Sequence, residues 1–158
     1  MTSIYEEAVT RLAEASGSQI EIGEDRIVNI MVEDRVVTLK PADEAESALT
    51  AFTIVAQQDG KEDFPPEVMA RALALNLFGA RTDGGHIGLF ADALFLSKTV
   101  VVEGMSSEAL AEAFVVLVRL AGEIEHELGG ETQSPGDEES APDEMPLVDF
   151  ALGGLMQV

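Results

Sequence analysis

The sequence predicts an α+β fold in the order α-β-β-β-α-β-β-α: a twisted antiparallel sheet flanked by helices. Three observations carry that prediction. Two segments, 3–16 and 106–128, repeat apolar residues three or four apart, the spacing of a helix with one buried face. The stretches between them hold runs of Val, Ile, Thr and Phe that break at two-residue bends, Glu33-Asp34 and Ala91-Asp92, as antiparallel hairpins do. Between the two groups of strands lies a helix, 65–78, whose apolar residues spread round most of its circumference.

In the first helix Ile4, Ala8, Leu12 and Ala15 share one side, with Tyr5 and Val9 beside them. Ser3 and Glu6 have the spacing of a capping box, and Ser16-Gly17 ends the helix. Ile20-Glu21-Ile22 reads as a short strand or a lead-in to one. Residues 26–32 and 35–40 are the arms of the first hairpin, stopped by Pro41, and an acidic loop covers 41–46. Residues 47–57 form a third strand with apolar groups on both faces: Ala48, Leu49, Ala51, Phe52, Ile54 and Val55. A sheet with one wet face alternates more cleanly, so both faces are covered or one awaits a partner. A polar loop with Asp59-Gly60 leads to the central helix. Asp63 is its expected N-cap, and Pro65 and Pro66 suit a first turn, where a missing N–H costs nothing.

The central helix seeks two apolar neighbours, and two arrangements supply them. It is either the middle helix of a single core or packed between its own sheet and a second subunit; a domain this small rarely buries a helix on all sides. Residues 79–85 are rich in turn formers. Residues 86–91 and 93–103 then make a very apolar second hairpin, closed by Gly104. The last helix has Ser106 as N-cap and Leu110, Phe114, Leu117, Ala121, Ile124 and Leu128 as its stripe. The composition then divides the chain: a folded domain over 1–128, an acidic flexible linker over 129–146, and an apolar segment over 147–158 with Leu147, Val148, Phe150, Leu152, Leu155 and Met156. That segment either docks elsewhere or folds back to complete the core or the dimer.

Composition narrows the function. Thirty acidic residues against nine basic ones give a net charge of −21. Phosphate backbones and anionic membrane surfaces repel such a chain, so neither nucleic acid nor membrane is an expected partner. The absence of cysteine excludes disulfides, thiolate metal sites and cysteine nucleophiles. The first residues lack the basic start and apolar run of a signal peptide, which points to a cytoplasmic protein.

Catalytic and metal-binding patterns are missing, and no cofactor is expected. His86 and His126 are the only histidines; the first begins a strand beside Gly84-Gly85, and the second lies on an acidic helix face beside Glu123 and Glu127. Gly84-Gly85-His86-Ile87-Gly88 matches neither phosphate-loop nor dinucleotide spacing. No carboxylate pair sits in the apolar context that tunes acid–base groups. What the chain does hold is more apolar surface than one small subunit hides, which marks a protein that binds protein.

In its order of elements the chain resembles the class I type III secretion chaperones, the Tir-chaperone family. The stretches that carry the resemblance are Ala72-Leu73-Ala74-Leu75-Asn76-Leu77-Phe78, the hairpin Gly88-Leu89-Phe90-Ala91-Asp92-Ala93-Leu94-Phe95-Leu96, and the helix 108–128. The resemblance covers about residues 3–128 and implies a homodimeric bacterial cytoplasmic chaperone, not an enzyme. Such a protein holds the extended N-terminal segment of a secreted effector and presents it to the secretion ATPase. Carried over residue by residue, it points to Val68, Met69, Ala72, Leu73, Leu75, Leu77 and Phe78 for the dimer interface, with part of the second hairpin. For the effector it points to Ile4, Tyr5, Val9, Leu12, Ile30, Val32, Val37, Leu39, Leu49, Phe52 and Ile54. The tail beyond residue 128 departs from the family pattern. The alternatives are a dimeric adaptor or regulator of the same fold with no secretion role, and a small acidic enzyme using a metal.

Overall fold

The structure is a computed structural model that describes residues 1–58 and 63–129. The loop at Asp59-Gly60, the linker and the apolar C-terminal segment lie outside the described residues. Helix α1 (Ile4–Ser16) is followed by strands β1 (Val28–Val32), β2 (Arg35–Pro41) and β3 (Ala48–Gln57). Helix α2 (Pro66–Leu75) and a 3-10 turn, Leu77–Gly79, lead to β4 (His86–Phe90), β5 (Ala93–Val101) and helix α3 (Ser107–Gly129). The strands form one antiparallel sheet in the order β1-β2-β3-β5-β4. The predicted α+β order is therefore observed.

The helix ends follow their local chemistry. Ser3 Oγ accepts the Glu6 N–H and Glu6 Oε2 accepts the Ser3 N–H, each at 3.1 Å, which completes the capping box. Gly17 at φ 68° ends α1. Ser106 Oγ accepts the Ala109 N–H at 3.2 Å and opens α3. The central helix differs from expectation at both ends. Pro65, not Asp63, is its N-cap and offers no side-chain acceptor, while the helix stops at Leu75 instead of running to residue 78. Asn76 explains the early stop. Its side chain takes the Ile87 N–H at 2.6 Å and donates to the Ile87 carbonyl at 2.8 Å, acting as a short piece of strand against the edge of β4. The chain then turns through Phe78 and Gly79, at φ 61° and 66°.

Ile20 and Ile22 form no strand; they pack, partly buried, against the core from an irregular lead-in. Glu33 and Asp34 both take positive φ, which matches the right-handed twist of a two-residue hairpin and fixes the pair Val32↔Arg35. Strand β3 carries a bulge between Ile54 and Ala56 that leaves Val55 without a partner on β5.

All three helices bury their stripes in one cluster with Val28, Ile30, Val37, Leu39, Leu49, Ala51, Leu94 and Leu96. These strand residues share one phase of the pleat, so the helices cover one face of the sheet. The other phase is left to the outside.

Candidate protein-binding surfaces

Cross-strand register places side chains on the open face row by row. Asn29, Thr38, Phe52, Ser97 and His86 line one row across the sheet, and Ile54, Phe95 and Gly88 the next. Thr38 Oγ1 donates to Asn29 Oδ1 at 2.6 Å, and Lys40 Nζ lies 5.3 Å above the Phe52 ring. Phe90 is 76% exposed at the end of β4. Thr38, Lys40, Phe52, His86, Phe90, Phe95 and Ser97, with Ile27, Gly88 and Leu89, line a groove of about 510 Å³. It contains Lys40 and His86 and no carboxylate, in a chain with thirty acids. A second depression, of about 410 Å³, shares Thr38, Phe52 and Phe95 with it and runs on past Val36 and Ile54. This one ends at Glu33, Asp34, Arg35 and Glu125. There the Arg35 guanidinium donates to the Ile54 carbonyl at 2.7 Å and pairs with Glu125, tying the bulge of β3 to α3.

A separate apolar surface surrounds α2. Val68, Ala72 and Leu75 face the core, whereas Leu73 is 68% exposed on the opposite edge. Leu77 and Phe78, which follow the helix, are exposed as well, Phe78 at 93%. An αL conformation at a non-glycine residue costs on the order of 1 kcal/mol. Here it holds an aromatic ring out in water, a position with no use inside the protomer.

The predicted residues divide between core and surface. Of the eleven named for the effector, Tyr5, Val9, Leu12, Ile30, Val32, Val37, Leu39 and Leu49 are buried in the protomer's own core, Leu12 and Val32 at the floor of a depression of about 280 Å³ between α1, β1 and α3. Ile4 is half-buried against that core, while Phe52 and Ile54 are on the open sheet face. The cause is strand phase: most of the strand residues chosen are the ones that point under the helices. The residues sequence reasoning passed over are Met31, Val36, Phe90 and Phe95. Their signal was present, because the Glu33-Asp34 turn sets Met31 opposite Val36, in the phase opposite to Ile30 and Val37. Of the seven named for dimerisation, Val68, Ala72 and Leu75 are core, Met69 is partly buried, and Leu73, Leu77 and Phe78 are exposed.

Among the described residues no group of three or more His, Asp or Glu is placed to hold a metal ion. His86 and His126 are both exposed. No helix among them is long and apolar enough to cross a membrane. The geometry is that of a binding protein with two apolar surfaces.

Comparison with known proteins agrees. The model of the Tir chaperone protein (CesT) family matches residues 7–125. The chain belongs to that family. The protein is accordingly a type III secretion chaperone, which acts by binding and is not an enzyme. No curated protein sequence matches the chaperone. Its fold is similar to that of the Yersinia pestis type III secretion chaperone SycH, solved with a stable fragment of YscM2: TM-score 0.54, 23% identity, covering 76% of this chain and 98% of that one. The ExsC–ExsE complex gives TM-score 0.62 at 17% identity, covering 80% and 96%. The ExoT–SpcS complex from Pseudomonas aeruginosa gives 0.53 at 19%, covering 78% and 98%.

Proposed function

We propose that the chaperone is a homodimer that holds the extended N-terminal segment of a secreted effector in the bacterial cytoplasm, keeps it soluble and presents it to the secretion ATPase. The observation that carries the client site is the acid-free apolar groove on the open sheet face. A −21 chain that keeps carboxylates out of one groove has a surface suited to apolar side chains. Phe52, Phe90 and Phe95 are its anchors, Val36 and Ile54 extend the apolar surface into the neighbouring depression, and Ile4, half-buried against the core on the helical side of the sheet, is a separate client contact in this reading. An extended segment also finds free backbone on the edge strands, because Asn76 occupies only Ile87 on β4 and leaves Leu89 open. The solved complexes of similar fold, with YscM2, ExsE and ExoT, support a protein client.

Dimerisation uses the outer edge of α2. Leu73, Leu77 and Phe78 are the exposed apolar residues that a second copy covers with its own, the self-complementary contact of a two-fold dimer. The residues on the inner edge, Val68, Ala72 and Leu75, hold the helix in place. The experiment is co-expression with the N-terminal segment of the effector encoded beside this chain, followed by light scattering on the purified product. A dimer carrying the segment is expected. A strict monomer at micromolar concentration that recovers no segment overturns the reading.

A further inference from the structure

The open sheet groove has a candidate occupant within the same chain. We propose that residues 147–158 dock on the groove between Lys40, Phe52 and Phe95 and act as an internal plug that the client displaces. As a plug of the client site this rests on the chaperone reading; as a docked segment it stands by itself. Three observations lead to it.

The first is where the described chain ends. Helix α3 stops at Gly129, one turn beyond Glu125, and Glu125 lines the depression that shares Thr38, Phe52 and Phe95 with the groove. The seventeen residues 130–146 span at most about 56–61 Å when extended, at about 3.3–3.6 Å per residue. The five-stranded sheet is only about 19 Å wide at about 4.8 Å per strand spacing. A chain leaving Gly129 therefore reaches any part of its own sheet face with length to spare.

The second is pattern. Val148, Phe150 and Leu152 alternate with Asp149 and Ala151, so an extended segment presents three apolar side chains to one side. That is the presentation a sheet face lined by Val36, Phe52, Ile54 and Phe95 accepts. The third is charge. Residues 130–158 contain Glu131, Asp137, Glu138, Glu139, Asp143, Glu144 and Asp149 and no basic residue. Most of this protein's surface repels such a segment. The groove with Lys40 and His86 and no carboxylate does not. The other apolar surface, around Leu73 and Phe78, is the one a second copy covers.

The test uses the full chain with a photoreactive phenylalanine analogue incorporated at position 150, irradiated over a range of concentrations and mapped by mass spectrometry. Adducts are expected on β2, β3 and β5 at the open-face positions near Thr38, Phe52 and Phe95, with a yield independent of dilution. Leu152→Asp with Val148→Asp, outside the described fold, and separately Lys40→Glu are each expected to lower the yield about tenfold, the loss expected when an anchor worth about 1.4 kcal/mol is removed. Adducts on α2 or on the helical face, a yield that falls on dilution, or no adduct overturns the proposal. Co-purification of the effector segment is read separately. Adducts at the groove without client binding sink only the chaperone reading, and client binding without adducts sinks only the plug.

Discussion

Tyr5 joins three elements through one hydroxyl. It is fully buried, and its O–H lies 2.7 Å from the Arg26 carbonyl and 3.2 Å from the Leu39 carbonyl, linking α1 to the lead-in of β1 and to β2. The Arg26 guanidinium stacks 5.5 Å above the ring and reaches Ser3 Oγ at 3.0 Å and Glu46 Oε2 at 2.7 Å. Burial pushes the Tyr5 phenol up to about 12, against the pull of Arg26 in the other direction. The folded state thus keeps its proton where the unfolded chain, titrating near 10, has lost it. Stability from this group is complete below pH 10 and declines as pH rises from 10 to 12. Tyr5→Phe should cost about 1–3 kcal/mol at neutral pH by leaving a buried carbonyl unpaired. It should also flatten the alkaline loss of stability, and urea titrations of both proteins at pH 8 and pH 11 check this. A variant with an unchanged alkaline slope would place the titration elsewhere.

Gly85 gives a second prediction at this scale. A Cβ there would lie 2.6 Å from the Ser97 carbonyl and 3.1 Å from that of Thr82, both backbone atoms that cannot rotate away. Gly85→Ala should therefore cost about 1–3 kcal/mol by forcing β4 off β5, seen as a lower midpoint in thermal unfolding. Gly84, with φ 79° and open space around its position, fails for the other reason: backbone strain.

At the scale of elements, α2 is the place where sequence and structure can be compared most closely. Its composition called for two apolar neighbours, and the structure gives it one, the core edge of Val68, Ala72 and Leu75, and leaves the other in water. Hydrophobic period and caps made α1, α3 and both hairpins legible, because those signals are local. The end of α2 was not legible, since it depends on Asn76 meeting Ile87 eleven residues later. The phase of the strands was not read correctly for the same kind of reason. With apolar residues in both phases, only the docking of the helices decides which row is core, and five of the proposed strand contacts, Ile30, Val32, Val37, Leu39 and Leu49, went inside. The two edges of α2 predict opposite outcomes for one kind of change. Leu73→Asp alters an exposed site and should change protomer stability by only about 0.5 kcal/mol while giving a folded monomer in sedimentation velocity. Ala72→Asp one residue earlier buries a carboxylate and should unfold the domain, as circular dichroism reports. If Leu73→Asp stays dimeric, the outer edge is not the interface.

For the whole molecule, charge and apolar surface oppose each other. Each copy carries −21, and its basic residues are largely engaged locally: Arg35 with Glu125, Arg81 with Glu127, Lys98 with Asp83, Arg119 with Glu33. Two such copies repel at a distance, and in the proposed dimer the attraction comes from apolar contact at the exposed Leu73, Leu77 and Phe78. Salt screens the repulsion, with a Debye length falling from about 30 Å at 0.01 M to about 10 Å at 0.1 M, and leaves apolar burial nearly untouched. The dimer should therefore tighten as sodium chloride rises from 0.01 to 0.1 M, by several-fold or about 1 kcal/mol. An interface built on ion pairs behaves the opposite way and loosens with salt. Sedimentation equilibrium at the two concentrations decides between them, and the same measurement on Phe78→Ser should show weaker association at both. Loosening with salt would mean that acidic and basic side chains, not the ring held out at Phe78, join the two copies.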